Sequence, residues 1–188
     1  MPTASASLTC PGHPETRRPI LQTAAVAVRN GIIGLLLGIG APALALEVGD
    51  VAPAFNLPGA AGPVKLEDFR GKVIYVDFWA SWCVPCRQSM PWLNEMHSKY
   101  SARGLRVVGI GVDERASDAD AFLTAYPARF TVAFDLKGAV PPAYGVKGMP
   151  SSALIDRTGR LRFQHTGFRN ADRAELERQI QQVLGTSE

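Results

Sequence analysis

The chain has 188 residues, 46% of them hydrophobic and 20% charged, which suits one packed domain plus an extension and excludes two full domains. Its formal net charge of +3 comes largely from the first 45 residues, where Arg17, Arg18 and Arg29 face Glu15 alone. The remainder is nearly neutral and has no Lys/Arg block, so it offers no electrostatic footprint for nucleic acid or for an acidic membrane surface.

Residues 1–45 read as an export signal: a basic stretch ending at Arg29, an apolar run from Ile32 to Ile39, then Ala43-Leu44-Ala45, with cleavage expected after Ala45. The alternative is a retained membrane anchor. A span needs about 20 apolar residues; Leu21 to Leu46 is long enough, but Arg29 interrupts it. Thr16 to Leu21, with Arg17 and Arg18 adjacent, also resembles a twin-arginine signal. Export would place residues 46–188 outside the cytoplasm, in the periplasm, and would involve the membrane only if the leader were kept. Cys10 would leave with the leader, so the exported domain would hold Cys83 and Cys86 alone. A single close thiol pair, in a domain large enough to fold without staples, points to redox work more than to a structural bridge.

From Glu47 to Gly62 the chain is rich in Pro, Gly and Ala, and only Ala54 to Leu57 is strand-like. This stretch reads as an edge lead-in that pairs with Pro63 to Leu66 as a hairpin. Val73 to Trp79 is an almost unbroken β-branched and aromatic run, as expected of a central strand buried on both faces. A helix is expected from about Cys83 to Tyr100, with Leu93, Met96 and Tyr100 inward, a break or kink at Pro91, and Gly104 as its stop. Leu105 to Val112 is a second strand, and the order strand, helix, strand implies a right-handed parallel unit. Ser152 to Ile155 and Leu161 to His165 read as an antiparallel hairpin around Asp156 to Arg160. Ala171 to Leu184 closes the chain as a helix, apolar at Leu176, Ile180, Val183 and Leu184, with a capping box from Asp172 to Glu175 and a stop at Gly185. These elements make an α/β domain: one central mixed β-sheet with helices on both faces and an N-terminal hairpin extension.

Trp82-Cys83-Val84-Pro85-Cys86 stands where the buried strand gives way to the helix. Two-residue spacing lets both sulfurs meet across one turn. Free N–H groups and the positive dipole end of a helix stabilise a thiolate on Cys83. CxxC thiols in such settings have pKa values lowered to about 3.5–7.5, which supplies a nucleophile near neutral pH. Cys86, a turn further in, would be shielded and placed to displace a partner bound to Cys83. Three other uses compete. Zinc needs four ligands, and the exported domain adds only His97 and His165, neither at finger spacing. A purely structural bridge over so short a loop would stabilise weakly. A single-cysteine peroxidase of the peroxiredoxin kind would carry Thr where Ala80 stands.

Val76-Asp77-Phe78-Trp79-Ala80-Ser81-Trp82-Cys83-Val84-Pro85-Cys86 resembles the thioredoxin active-site stretch. With the lead-in hairpin, the leader, and Gly148-Met149-Pro150 ahead of Ser151 to Asp156, the chain resembles the exported TlpA/ResA branch of that superfamily. The resemblance implies a thioredoxin fold, Cys83 as nucleophile, Cys86 as resolving thiol, and Asp77 as the buried acid that takes the resolving thiol's proton. It implies that Pro150 is a cis-proline facing the disulfide, beside a Met149 backbone that pairs with an extended substrate. It also implies that Val84 and Pro85 tune the potential, that Pro91 marks the helix kink and that Trp82 flanks the partner surface. Trp79 is as compatible with core packing as with function, and His97, expected on the exposed helix face, and His165 are given no role.

Departures from the branch are informative. Many exported relatives carry Asn where Asp77 stands, which tilts this chain toward a thioredoxin-like reductant. Ser89 replaces a Glu common in the branch, which weakens a dedicated haem-pathway role, and strand 105–112 lacks the lysine that thioredoxins place near their acid. The expectation is an exported thiol-disulfide oxidoreductase without a cofactor, acting on protein disulfide clients. An external electron donor, such as a membrane thiol reductase, would re-reduce it, because no flavin or nicotinamide fingerprint is present. The rival activities are a disulfide-donating oxidase and a non-catalytic copper-binding chaperone.

Overall fold

The structure, a computed structural model, describes residues 46–185. The expected leader, its cleavage point and Cys10 lie outside the described residues. The chain order is β1 (Asn56–Gly59), β2 (Gly62–Lys65), β3 (Val73–Trp79), α1 (Cys86–Tyr100), β4 (Leu105–Gly111), α2 (Ala116–Ala125), β5 (Thr131–Phe134), β6 (Ser151–Ile155), β7 (Leu161–Thr166) and α3 (Arg173–Gly185). The strands form one sheet in the order β2-β1-β5-β4-β3-β6-β7.

Strand β3 is buried at every residue, as its continuous apolar run requires. It pairs in parallel with β4, Trp79 opposite Gly111, and antiparallel with β6, Phe78 opposite Ser151. Alternation along the strand divides the core in two. Val73, Tyr75 and Trp79 belong to one cluster, and Ile74, Val76 and Phe78 to the other. The expected lead-in hairpin is present as β1–β2, and it joins the sheet edge through Gly59 opposite Ala133 of β5.

Residues 113–147 carry no clear element pattern in the sequence, and there the chain makes α2 and β5, a second parallel crossover. Both elements are short. Helix α2 buries only Ala119 and Phe122, and β5 fully buries only Ala133, too little periodicity to separate either from a loop. Because β3, β4 and β5 step in one direction across the sheet, right-handed connections put α1 and α2 on the same face. Leu93 of α1, Phe122 of α2 and Ile180 of α3 accordingly share one cluster. The helices expected on both faces are α-helices on this face only; the opposite face is covered by the lead-in and by short 3-10 turns, with Tyr144 against Phe78 at 5.4 Å between ring centroids and its hydroxyl donating to the Pro53 carbonyl at 2.7 Å.

Helices α1 and α3 depart from the sequence pattern. Helix α1 begins at Cys86, after a turn over Ala80 to Pro85, and runs through Pro91 without breaking. It buries Leu93, Met96 and Tyr100 as expected, together with Trp92 and Met90. Gly104, at φ 98, closes the 3-10 turn that follows in the left-handed region open to glycine. The expected Asp172–Glu175 capping box does not form. Asp172 instead accepts the Arg169 N–H at 3.0 Å across a 3-10 turn ahead of α3, and Glu175 pairs with Arg178 at 2.6 Å.

Trp79 needs open backbone beside it. A Cβ on Gly111 would lie 2.9 Å from its Cζ2, and one on Gly109 would lie 2.9 Å from Phe130 and 3.2 Å from Trp79 Nε1. The indole stacks on Phe122 at 4.9 Å, so it has little room to retreat. Gly111→Ala is expected to lower stability by about 1–3 kcal/mol, the usual range for overpacking, read as a lower urea midpoint. Combined with Trp79→Phe, the two losses should sum to less than their separate values, because the clash partner has shrunk.

Candidate active site

The sheet delivers Cys83 and Cys86 to the carboxyl end of β3, where the chain leaves the strand in a tight turn. The Cys83 N–H donates to the Ala80 carbonyl at 3.1 Å and the Cys86 N–H to the Cys83 carbonyl at 3.2 Å. The two cysteines form a disulfide with a Cα–Cα distance of 5.3 Å. Cys86 is fully buried at the first residue of α1, and Cys83 is only 3% exposed. Cys83 is nonetheless framed by the most solvent-facing apolar side chains of the region, Trp82 at 66% and Val84 at 60%. The Cys86 N–H also lies 3.2 Å from Cys83 Sγ. A backbone donor is thus already aimed at the sulfur that would carry negative charge after reduction, which is how a helix start lowers a thiol pKa.

Pro150 immediately precedes β6, and the Met149-Pro150 peptide bond is cis. Since Phe78 faces Ser151, Pro150 falls beside Trp79, at the end of β3 from which the cysteine turn departs. The Pro150 carbonyl accepts the Gly167 N–H at 2.7 Å. Among the described residues no hydrogen bond occupies the backbone amide of Met149, so a strand edge for one more segment remains there.

Asp77 points to the face that holds the cysteines, since Tyr75 and Trp79, two residues either side, belong to their cluster. Its register neighbours are Gly109 and Ser152. Glycine at 109 means that no cation stands on that strand beside the carboxyl, and the Trp79 indole leans over the space. The Asp77 carboxylate is buried and its Oδ2 has no hydrogen-bond partner. Burial therefore raises its pKa well above the ordinary 3.8. Tyr75 donates to Ser152 Oγ at 2.9 Å, and burial, with Asp77 adding to it, pushes that phenol upward too.

Three polar groups of this region escaped the sequence reading. Tyr75 and Ser152 pair across β3 and β6 next to Asp77, and Asp113, buried just beyond β4, binds Ser81 of the cysteine turn. The available signal for Asp113 was its position, an acid directly after a parallel strand, where open α/β sheets gather their functional groups. His97 is half-buried, not exposed; desolvation and the nearby Arg106 lower its pKa. His165 Nε2 lies 3.6 Å from Asp172, on the α3 side. Among the described residues no three His, Cys, Asp or Glu side chains gather as a metal-binding group, and no helix is long and apolar enough to cross a membrane.

A mixed sheet that presents a closable cysteine pair at a strand-to-helix turn, opposite a cis-proline, defines a thioredoxin-fold thiol-disulfide oxidoreductase. Residues 47–180 match the Redoxin family model, and the chain belongs to that family, in its TlpA/ResA-like group of the thioredoxin superfamily. It is 32% identical over 147 residues to the thiol-disulfide oxidoreductase ResA of Bacillus cereus, covering 77% of this chain and 85% of that one. Among solved structures it resembles a Chlorobium tepidum protein described as a thiol:disulfide interchange protein DsbE, at 57% identity and a TM-score of 0.74, over 75% of this chain and 100% of the other. A thiol:disulfide interchange protein from Bacteroides sp. gives 26% identity and a TM-score of 0.67, over 77% and 95%.

Unfolding would return the Asp77 carboxyl to its ordinary value of 3.8. Between that pH and the raised native value the folded chain binds more protons than the unfolded one, so stability falls as pH rises. The urea midpoint of the oxidised protein should therefore decline above about pH 4 relative to Asp77→Asn, which lacks the ionisation; parallel pH profiles for the two proteins would count against an uncompensated Asp77.

Proposed function

We propose that the protein reduces disulfides in protein clients outside the cytoplasm. The observation that carries the reading is the Cys83–Cys86 pair itself, closed in a turn whose Cys86 N–H faces Cys83 Sγ between exposed Trp82 and Val84. In the reduced state the Cys83 thiolate attacks a client disulfide, forming a mixed disulfide and releasing one client thiolate. Cys86 then attacks Cys83 Sγ, which frees the second client sulfur and closes the pair. Two electrons have passed to the client, and two protons end on its thiols.

Asp77 is the proton acceptor for Cys86 in the second step. Its burial with Oδ2 unpaired supports this role, because a carboxyl whose pKa burial raises is better matched to a thiol proton than an ordinary one. The unpaired Met149 amide and Pro150 hold the client as an added strand, Trp82 contacts it, and Val84 and Pro85 set the local turn on which the potential depends. Turnover needs an outside electron source, and a membrane thiol reductase is the class we assign. The leader pattern in residues 1–45 supports export to the periplasm, with the working domain at 46–188.

Redox titration of the full chain carrying Cys10→Ser tests the direction of flow. A reductase should lie near thioredoxin's potential of about −270 mV; a value near −120 mV would instead mark a disulfide donor, and absence of a reversible couple with tight copper retention would mark a chaperone. Cys86→Ser should accumulate client adducts on Cys83 that dithiothreitol releases, whereas Cys83→Ser should form none. Adducts accumulating on Cys83→Ser, with none on Cys86→Ser, would reverse the assigned roles.

A further inference from the structure

Just outside the cysteine turn, the Ser81 N–H is shared between both carboxylate oxygens of Asp113, at 3.1 and 3.0 Å, and the Ser81 hydroxyl donates to Asp113 Oδ1 at 2.7 Å. Asp113 is buried, 4% exposed, and among the described residues its carboxylate bonds to Ser81 alone. The two residues come from different strands. Ser81 lies two positions beyond β3 and two before Cys83, and Asp113 two positions beyond β4. The parallel register continues that far, since Val112 donates to the Trp79 carbonyl at 3.0 Å. Asp113 therefore stands at the end of the two central strands and holds Ser81, next to the start of the redox turn, by both its backbone and its side chain.

We propose that Ser81 and Asp113 form a clasp that sets the reduction potential of the Cys83–Cys86 pair, Asp113 acting as a positioning residue; this rests on the dithiol-disulfide cycle proposed above. The clasp and the disulfide order the same short segment, Ser81 to Cys86. Once the disulfide is closed, the segment is already fixed, and the clasp forms without further loss of freedom. Once the clasp is formed, the two thiols are already near each other, and closure loses less entropy. Coupling of this kind is reciprocal. The clasp therefore raises the equilibrium constant for closing the pair, in which a dithiol protein and one oxidised glutathione give the disulfide protein and two reduced glutathiones. A larger constant is a more negative potential, the direction a reductase needs.

The clasp differs from an ordinary stabilising contact in what its removal changes. A contact that merely holds the fold weakens the oxidised and reduced proteins equally and leaves the potential where it was. A clasp coupled to the disulfide weakens the oxidised protein more and moves the potential upward.

The test uses the full chain with Cys10→Ser, so that Cys83 and Cys86 are its sole thiols, equilibrated in glutathione buffers of graded ratio, with Asp113→Ala, Asp113→Asn and Ser81→Ala introduced singly. Asp113→Ala is expected to lower the closing constant about tenfold, a rise of about 30 mV. Ser81→Ala, which loses only the hydroxyl bond, should move it the same way by less, and Asp113→Asn, which keeps one acceptor oxygen, should fall between parent and Asp113→Ala. Melting temperatures should drop further in the oxidised than in the reduced form. Closing constants within twofold of the parent, or a shift toward a more negative potential, would overturn the clasp, and equal melting losses in both redox states would assign it to the fold alone. If Asp113→Ala fails to fold, the other two variants decide by the same criteria. A parent chain without a reversible couple would sink the functional reading, and the clasp with it, before any variant is compared.

Discussion

Burial of β3 on both faces and along both edges is the constraint on which the other features depend. Its backbone is saturated by β4 and β6, so the strand has no freedom to shift in register, and its end point is fixed to within the sheet's own rigidity. The cysteine turn starts at that end point. The same burial strips solvent from Asp77, and it forces the Trp79 indole to find space over Gly109 and Gly111. One apolar run thus places the disulfide, desolvates the acid beside it and dictates glycine on the neighbouring strand.

The site is asymmetric in a way that suits stepwise exchange. Cys86 sits inside the helix start with no exposure, and Cys83 lies at the surface turn under a rim of Trp82 and Val84. Of the two, only Cys83 retains any exposure. The cis Met149-Pro150 bond lies across from this turn, and the Met149 amide is left unpaired where β6 begins. In the function proposed above, this apolar rim and open stretch of backbone would receive an extended segment by its main chain.

The α-helices and the short turns divide the two faces unequally. Helices α1 and α2 cover the face that carries the cysteines because successive parallel crossovers in one direction must lie on one side, and α3, after β7, packs into the same cluster. The other face is closed by the lead-in, the β1–β2 hairpin and Tyr144. The smaller of the two core clusters is therefore closed partly by irregular chain. Its anchoring is visible in the Tyr144 hydroxyl bond to the Pro53 carbonyl and in the bridge between Val51 and Arg160.

By itself the sequence determined the elements whose signal is local and strong. The apolar run of β3, the cysteine pair at its end, the inward face of α1, the hairpin of β6 and β7 and the lead-in hairpin could all be read from residue type and spacing, because each is repeated over enough positions to stand out. The pattern around Cys83 and before Pro150 was specific enough to resemble a family and to suggest the cis bond. Tertiary structure alone decided the features that depend on residues far apart in the chain. Helix α2 and β5 are too short to announce themselves; β5 is held between β4 and β1, and α2 by Ala119 and Phe122 in the shared cluster. Asp172 could cap the helix or the turn before it, and the 3-10 turn took it. Asp77 reads as a buried acid in sequence, but the lack of any partner for its Oδ2 depends on what β4 and β6 bring alongside. Asp113 is marked locally only by its place just after a parallel strand; its hold on Ser81 arises only when two strands 32 residues apart end side by side.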